Sequence, residues 1–183
     1  MDNRTTAEST FRVEAVAFDD PRAESMRGLL DDELDARYRV RDADDPPELA
    51  AARTIALTIH PEQIAATFIA VEAGVAVEDG VAVKDAEAGE AVGHAMLRRL
   101  DSEWELKRLI VADTARGRGV GRALVTAVVE AARVGGAERV ILQTGEPQYE
   151  SLGLYRSMGF TPIAVYEPYV ETMPRSLCFE LHL

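Results

Sequence analysis

The 183-residue chain predicts an α/β fold in which strands and helices are interleaved along one domain. Three observations carry this. Segments whose apolar residues alternate at every second position are separated by segments in which they recur every three or four, the periods of a half-buried strand and of an amphipathic helix. The residues between them are rich in Pro, Gly and Asp, which end both kinds of element. At 47 % hydrophobic and 28 % charged, the chain has the composition of an ordinary globular protein with enough apolar surface for a core.

Residues 1–10 are small and polar and read as a loose end. Phe11–Phe18 reads as the first strand, with Phe11, Val13 and Ala15 alternating against Arg12 and Glu14, and Asp19-Asp20-Pro21 stopping it. Over Arg22–Arg39 the stripe Met26, Leu29, Leu30, Leu34, Tyr38 predicts a helix with Asp31, Asp32, Glu33 and Asp35 on its wet side. Residues 41–47 form a loop, Glu48–Thr58 a second helix, and His60-Pro61-Glu62 a turn or short helix with Pro61 at a first helical position. Thr67–Glu72 and Ala91–Leu100 read as antiparallel strands. The Gly-, Ala- and acid-rich joint Ala73–Glu90 between them is long enough to add short strands of its own. Trp104–Val111 is a strand whose two faces both change character partway along, the phase slip of a β-bulge. A helix over Gly119–Val134 closes at Gly135-Gly136. The remainder reads as a strand at Arg139–Thr144, a helix over Pro147–Met158 capped by Gly159, and strands at Phe160–Val165 and Ser176–Leu183.

Charge and cysteine count narrow the function. Lys and Arg number 20 against 32 Asp and Glu, a formal charge of −12. Proteins that coat nucleic acid or sit on anionic lipid need cations to replace counterions, so both partners are excluded as expectations. The single cysteine, Cys178, allows no intramolecular disulfide and, inside a strand, reads as an inert small hydrophobe. His60, His94 and His182 have no zinc-ligand spacing, so no metal is expected. With no signal-length apolar run near the start and no membrane-length run later, the chain reads as cytoplasmic.

The chemistry concentrates in Arg116–Arg122, Arg-Gly-Arg-Gly-Val-Gly-Arg, between a strand and a helix. Glycines let the backbone approach a ligand closely, and the N–H groups of a helix start favour an anion such as a pyrophosphate. The P-loop is excluded for want of Gly-Lys-Ser/Thr, and the dinucleotide pattern because Arg122 and Leu124 stand where its last glycine belongs.

Taken with Leu109-Ile110-Val111 before it, and Gln148 and Leu154-Tyr155-Arg156-Ser157-Met158-Gly159-Phe160 after it, this order resembles the GNAT superfamily of N-acetyltransferases. The resemblance is carried by the second half of the chain, and in the first half only by the order of elements. It implies a mixed, mostly antiparallel sheet with a splayed central strand pair, flanked by helices. It implies acetyl-CoA as co-substrate, its pantetheine along the backbone of Leu109, Ile110 and Val111 and its pyrophosphate on the loop Arg116, Gly117, Arg118, Gly119, Val120, Gly121 and Arg122. Gln148 stands where many members carry a cofactor-contacting asparagine.

The implied reaction is direct attack of a primary amine on the thioester. Tyr155 matches the family tyrosine near the sulfur and is the expected general acid, against the alternative that it merely packs. Glu105 is the expected general base, acting through water, against the alternative of an ion pair with Lys107 or Arg108. Gln143 stands where some members carry a base, and shifts that role to Glu105, to a water chain, or to Glu146 or Glu150. Two other outcomes are carried forward: a CoA-binding regulatory or interaction domain without catalysis, and transfer of a different acyl group. The acceptor site is expected from Arg22–Arg39, Glu48–Thr58 and the loop Tyr166–Arg175, whose acids and tyrosines suit a cationic amine or equally serve solubility. A homodimer is compatible with the sequence, which carries no direct mark of one.

Overall fold

The computed structural model describes residues 11–40, 42–43, 45–72, 74–78, 81–85 and 89–183; the loose end expected over residues 1–10 lies outside the described residues. The elements follow in the order β1 (Phe11–Val16), α1 (Pro21–Tyr38), α2 (Pro47–Leu57), β2 (Ile64–Glu72), β3 (Gly74–Glu78), β4 (Val81–Asp85), β5 (Ala91–Leu100), β6 (Glu103–Val111), α3 (Val120–Val134), β7 (Arg139–Thr144), α4 (Tyr149–Ser157), β8 (Thr161–Ile163), α5 (Tyr169–Thr172) and β9 (Leu177–His182). Seven strands make one sheet, β1-β2-β5-β6-β7-β9-β8, and β3 and β4 pair separately as a two-stranded ribbon. Every neighbouring pair is antiparallel except β6 and β7, which run parallel. The expected mixed, mostly antiparallel sheet is therefore present.

Helix α3 lies on one face because its buried residues Val120, Leu124, Val125, Val128 and Ala132 recur at helical spacing. They form the main core with Ala95, Leu97, Leu106, Val140, Leu142 and Phe179. Helix α1 covers the other face through Ala23, Met26 and Leu30. Leu29, assigned to the α1 stripe from its spacing, is instead exposed. Asp20 caps α1 through its side chain, accepting from the Arg22 N–H at 2.8 Å, with Pro21 at the first helical position.

Two features of β6 make the site. Its register against β5 runs from His94 opposite Ile110 to Met96 opposite Lys107, three residues on β6 against two on β5. The extra residue is Arg108, whose φ of 55° turns the strand. Trp104 and Leu106 before the bulge, and Leu109 and Val111 after it, all pack on the α3 side, while Ile110 joins Met26 and Leu30 under α1. On the other edge, β6 pairs with β7 only at Glu105–Ile141 and Leu106–Leu142. Beyond Leu106 the two strands part, leaving the edge of residues 107–111 without a β7 partner.

The C-terminal third differs from expectation in detail. The strand expected at Phe160–Val165 is reduced to Thr161–Ile163, and the segment expected as loop after Tyr166 contains the short helix α5.

Candidate active site

Where β6 and β7 part, two cavities open among the described residues. The first is a groove of about 380 Å³ lined by Leu109, Ile110, Val111, Ala115, Arg116, Gly117, Gly119, Val120, Gly121 and Arg122, with Arg37, Glu150, Ser151 and Leu154 opposite. It gathers nine of the residues that the sequence assigned to the cofactor. Gly117 and Gly119 have φ of 73° and 85°, a conformation that L side chains avoid, and a Cβ on either would meet nothing within 4 Å. Gly119 is also the N-cap of α3, so the first-turn N–H groups of that helix, which have no partners within it, open beside the loop. Strand edge, glycine loop and helix start together form a main-chain cradle that fits an extended chain ending in a polyanion.

The arginines of this loop are already engaged. Arg116 pairs with Glu33 at 2.6 Å and Asp113 at 2.8 Å, and its Nε donates to the Val111 carbonyl at 3.1 Å. Arg118 pairs with Glu72 at 2.6 Å, and Arg122 donates to Ser157 Oγ at 2.8 Å. Arg118 is not among the groove-lining residues, and neither are Gln148 and Tyr155.

The second cavity, about 410 Å³, lies at the end of β7. It is lined by Leu34, Asp35 and Tyr38 of α1, Leu49, Ala50, Arg53, Thr54 and Leu57 of α2, Asp42 and Asp45 of the loop before α2, Gln143, Gly145, Gln148 and residues 172–176. The lining includes parts of the expected acceptor segments Arg22–Arg39, Glu48–Thr58 and Tyr166–Arg175, together with Asp42, Asp45, Gln143, Gly145, Gln148 and Ser176 from outside those segments. Arg53 is held between Asp42, at 2.6 Å, and Asp45. The end of α1 borders both cavities. Arg37 faces the groove and bonds Glu150 and the Pro147 carbonyl, whereas its neighbour Tyr38 faces the pocket and accepts from Gln148 Nε2 at 3.0 Å. Gly145 sits so close beneath Tyr38 that a Cβ there would meet the hydroxyl at 2.1 Å.

The two expected catalytic side chains are placed differently from one another. Tyr155 on α4 is 5 % exposed, with its ring against Phe160 and Phe179 at centroid distances of 5.7 and 6.5 Å. Burial pushes its hydroxyl pKa up, so it holds its proton, and Ser151 is its hydrogen-bond partner. Ser151 and Leu154 line the groove beside it. Glu105 is fully buried and accepts from Arg98, from Tyr166 at 2.8 Å and from Tyr169 at 2.9 Å, with Lys107 Nζ at 3.9 Å. The Arg98 partner was not foreseen; it stands directly opposite Glu105 in the β5–β6 register, whereas Arg108 turns outward to Asp31. Burial holds Lys107 down to about 8 and Cys178 up to about 11, so the thiol stays protonated. Gln143 donates to the Thr144 carbonyl and to Ser176 Oγ. His94 is buried against the bulge. Among the described residues no helix is long and apolar enough to cross a membrane, and no three His, Cys, Asp or Glu side chains are grouped as metal ligands.

The family model described as acetyltransferase (GNAT) family matches residues 48–160. An IAA acetyltransferase from Azospirillum brasilense is 38 % identical over 65 residues, 36 % of this chain and 42 % of that protein. The chain matches less than half the length of the curated relatives to which it is similar. The crystal structure of an acetyltransferase from Streptococcus agalactiae 2603 superposes with a TM-score of 0.60 at 19 % identity, over 95 % of this chain and 99 % of that one. A GNAT family acetyltransferase from Elizabethkingia anophelis, solved with acetyl-CoA bound, gives 0.57 at 16 % identity over 96 % and 100 %. At these identities the structural likeness is one of fold.

Proposed function

The chain belongs to the GNAT family of acetyltransferases, and from that premise we propose that it transfers an acetyl group from acetyl-CoA to a small primary amine by direct attack. The observation that carries this reading is the splay itself. Residues 109–111 of the unpaired edge and the glycine loop line one groove, and a separate pocket opens on the β7 side of the same gap. Acetyl-CoA, when bound, supplies the activated thioester. The backbone N–H groups of Leu109–Val111 are available to bond an extended chain and to polarise its carbonyl, as preorganised donors do where charge develops. The amides of Gly117–Arg122 bind the diphosphate, and Gln148, bonded to Tyr38, orients what passes between the cavities.

Tyr155 is assigned the departing thiolate. Its buried O–H keeps its proton across the working pH range, as a donor requires. Glu105 lines neither cavity, and is assigned the amine's proton by relay through the hydroxyl of Tyr166, which donates to it at 2.8 Å and is less buried than Arg98, Lys107 and Tyr169. The acceptor pocket favours a small amine over a polycation. Of its three aspartates, Asp42 and Asp45 both serve Arg53, and Arg175 adds a second cation, so it is no bowl of acids. Transfer of acetyl is the reading preferred over other acyl groups. Action on neither nucleic acid nor anionic membrane is part of the same reading and is supported by the charge of −12; action in the cytoplasm is proposed with it.

Thiol release from acetyl-CoA over a panel of small amines is the test, with calorimetric binding of CoA measured alongside. Failure to bind CoA overturns the reading. Binding without acetylation of any amine would make the chain a CoA-binding module instead. Tyr155→Phe is expected to lower kcat about 10- to 100-fold. Glu105→Gln and Tyr166→Phe are expected to move the same limb of the pH–rate profile, and an unchanged profile in either removes the assigned relay.

A further inference from the structure

One buried group is used by none of the roles above. His94, on β5 beneath α1, is fully buried, and its Nδ1 lies 2.9 Å from the backbone oxygen of Arg108. A carbonyl only accepts, so Nδ1 carries the hydrogen and the tautomer is fixed. The other ring nitrogen, Nε2, is buried with no hydrogen-bond partner among the described residues. The imidazole is therefore anchored by a single bond, and that bond goes to the residue that forms the bulge. Arg108 is the extra residue of β6, and its φ of 55° is one that a non-glycine residue adopts only when its surroundings hold it there. Its carbonyl lies at the break in the β5–β6 register, where the main chain's polar groups need partners. His94 supplies it. Burial, together with the nearby charges of Arg27 and Arg108, keeps the ring neutral by holding its pKa at about 4, against the pull of the hydrogen bond itself.

We propose that His94 is a positioning residue for the cofactor groove: by donating to the Arg108 carbonyl it fixes the bulge, and so sets the direction in which the edge Leu109–Val111 faces the groove. The assignment of the bulge does not depend on what fills the groove, while its effect on cofactor affinity rests on the acetyl-CoA reading.

The chemistry of one hydrogen bond chooses the variants. Asparagine carries an amide N–H close to the place of Nδ1, and since Nε2 bonds nothing, losing it removes no bond. Glutamine carries its amide close to the place of Nε2, and alanine carries none. Two measurements on the whole chain then separate function from packing. Backbone hydrogen exchange over residues 107–112 is expected to rise at least tenfold in His94→Gln and His94→Ala relative to exchange in α3, and to stay within threefold in His94→Asn. The KM for acetyl-CoA is expected to rise about tenfold in Gln and Ala with kcat within threefold, and Asn is expected to restore it. If all three variants behave alike, only the volume of the ring matters and the proposal is overturned. It is equally overturned if His94→Ala leaves exchange over 107–112 unchanged. If the unaltered protein binds no CoA while the exchange series behaves as described, the positioning of the bulge stands and the acetyl-CoA reading alone falls.

Discussion

The groove and the pocket flank the same gap in the sheet and are similar in volume, about 380 and 410 Å³, but they are built from different material. The groove is built around backbone features, an unpaired strand edge, a loop turned by glycines with positive φ and the start of a helix, with Arg37, Glu150, Ser151 and Leu154 opposite. The pocket is made of side chains brought from α1, α2, the end of β7 and the loop before β9. A main-chain surface recognises what is common to all its ligands, on the reading proposed above an extended amide chain and a diphosphate. A side-chain surface recognises what differs between them. The division suits an enzyme that keeps one acyl donor and adapts its acceptor.

The largest expected effect attacks the main-chain side. Gly119→Val puts a branched residue at φ 85° and is expected to weaken CoA binding by about 100-fold, close to 3 kcal/mol, measured by calorimetry. A result within threefold would mean that the loop does not hold the diphosphate. Similar in size is a pH effect centred on His94, whose pKa of about 4 in the folded chain lies below its ordinary value of 6.5. Between those values the unfolded chain binds the proton and the folded chain does not. Stability is therefore full above pH 6.5 and falls as the pH drops to 4, by about 3 kcal/mol, readable as a shift in the urea midpoint. His94→Asn is expected to abolish that contribution. On the side-chain surface, Arg53→Ala removes the cation that Asp42 and Asp45 share and is expected to change acceptor KM about tenfold with CoA affinity unchanged. The smallest effect is expected from Arg122→Ala, which removes an exposed bond to Ser157 and is expected to cost CoA binding no more than about threefold. Should Arg122→Ala cost more than Gly119→Val, the division between main-chain and side-chain recognition would be wrong.

The same division explains what could be read from the sequence. The groove was legible because its parts are contiguous or carry a pattern: three glycines within seven residues, and a strand whose apolar phase slips where Arg108 bulges. The pocket was legible only as a set of segments, since nothing local in Asp42, Asp45 or Arg53 says that they meet. Glu105 illustrates the limit. Its neighbours along the strand, Lys107 and Arg108, were the obvious ion-pair candidates, yet its closest cation, Arg98, comes from the adjacent strand, where only the register makes the pairing visible. Helix α5 was missed because four residues after Pro168 are too few to show a period, although its Tyr169 is fully buried and bonds Arg98, Lys107 and Glu105.

Arg37 and Tyr38 are consecutive in one helical turn yet touch opposite cavities, one bonded to Glu150 and the other to Gln148. A helix cannot rotate one of them without carrying the other, so on the reading proposed above the donor and acceptor sites share a mechanical part. Linkage then requires that whatever factor one substrate imposes on the affinity of its partner be returned in equal measure, with the last turn of α1 as the element through which both are counted.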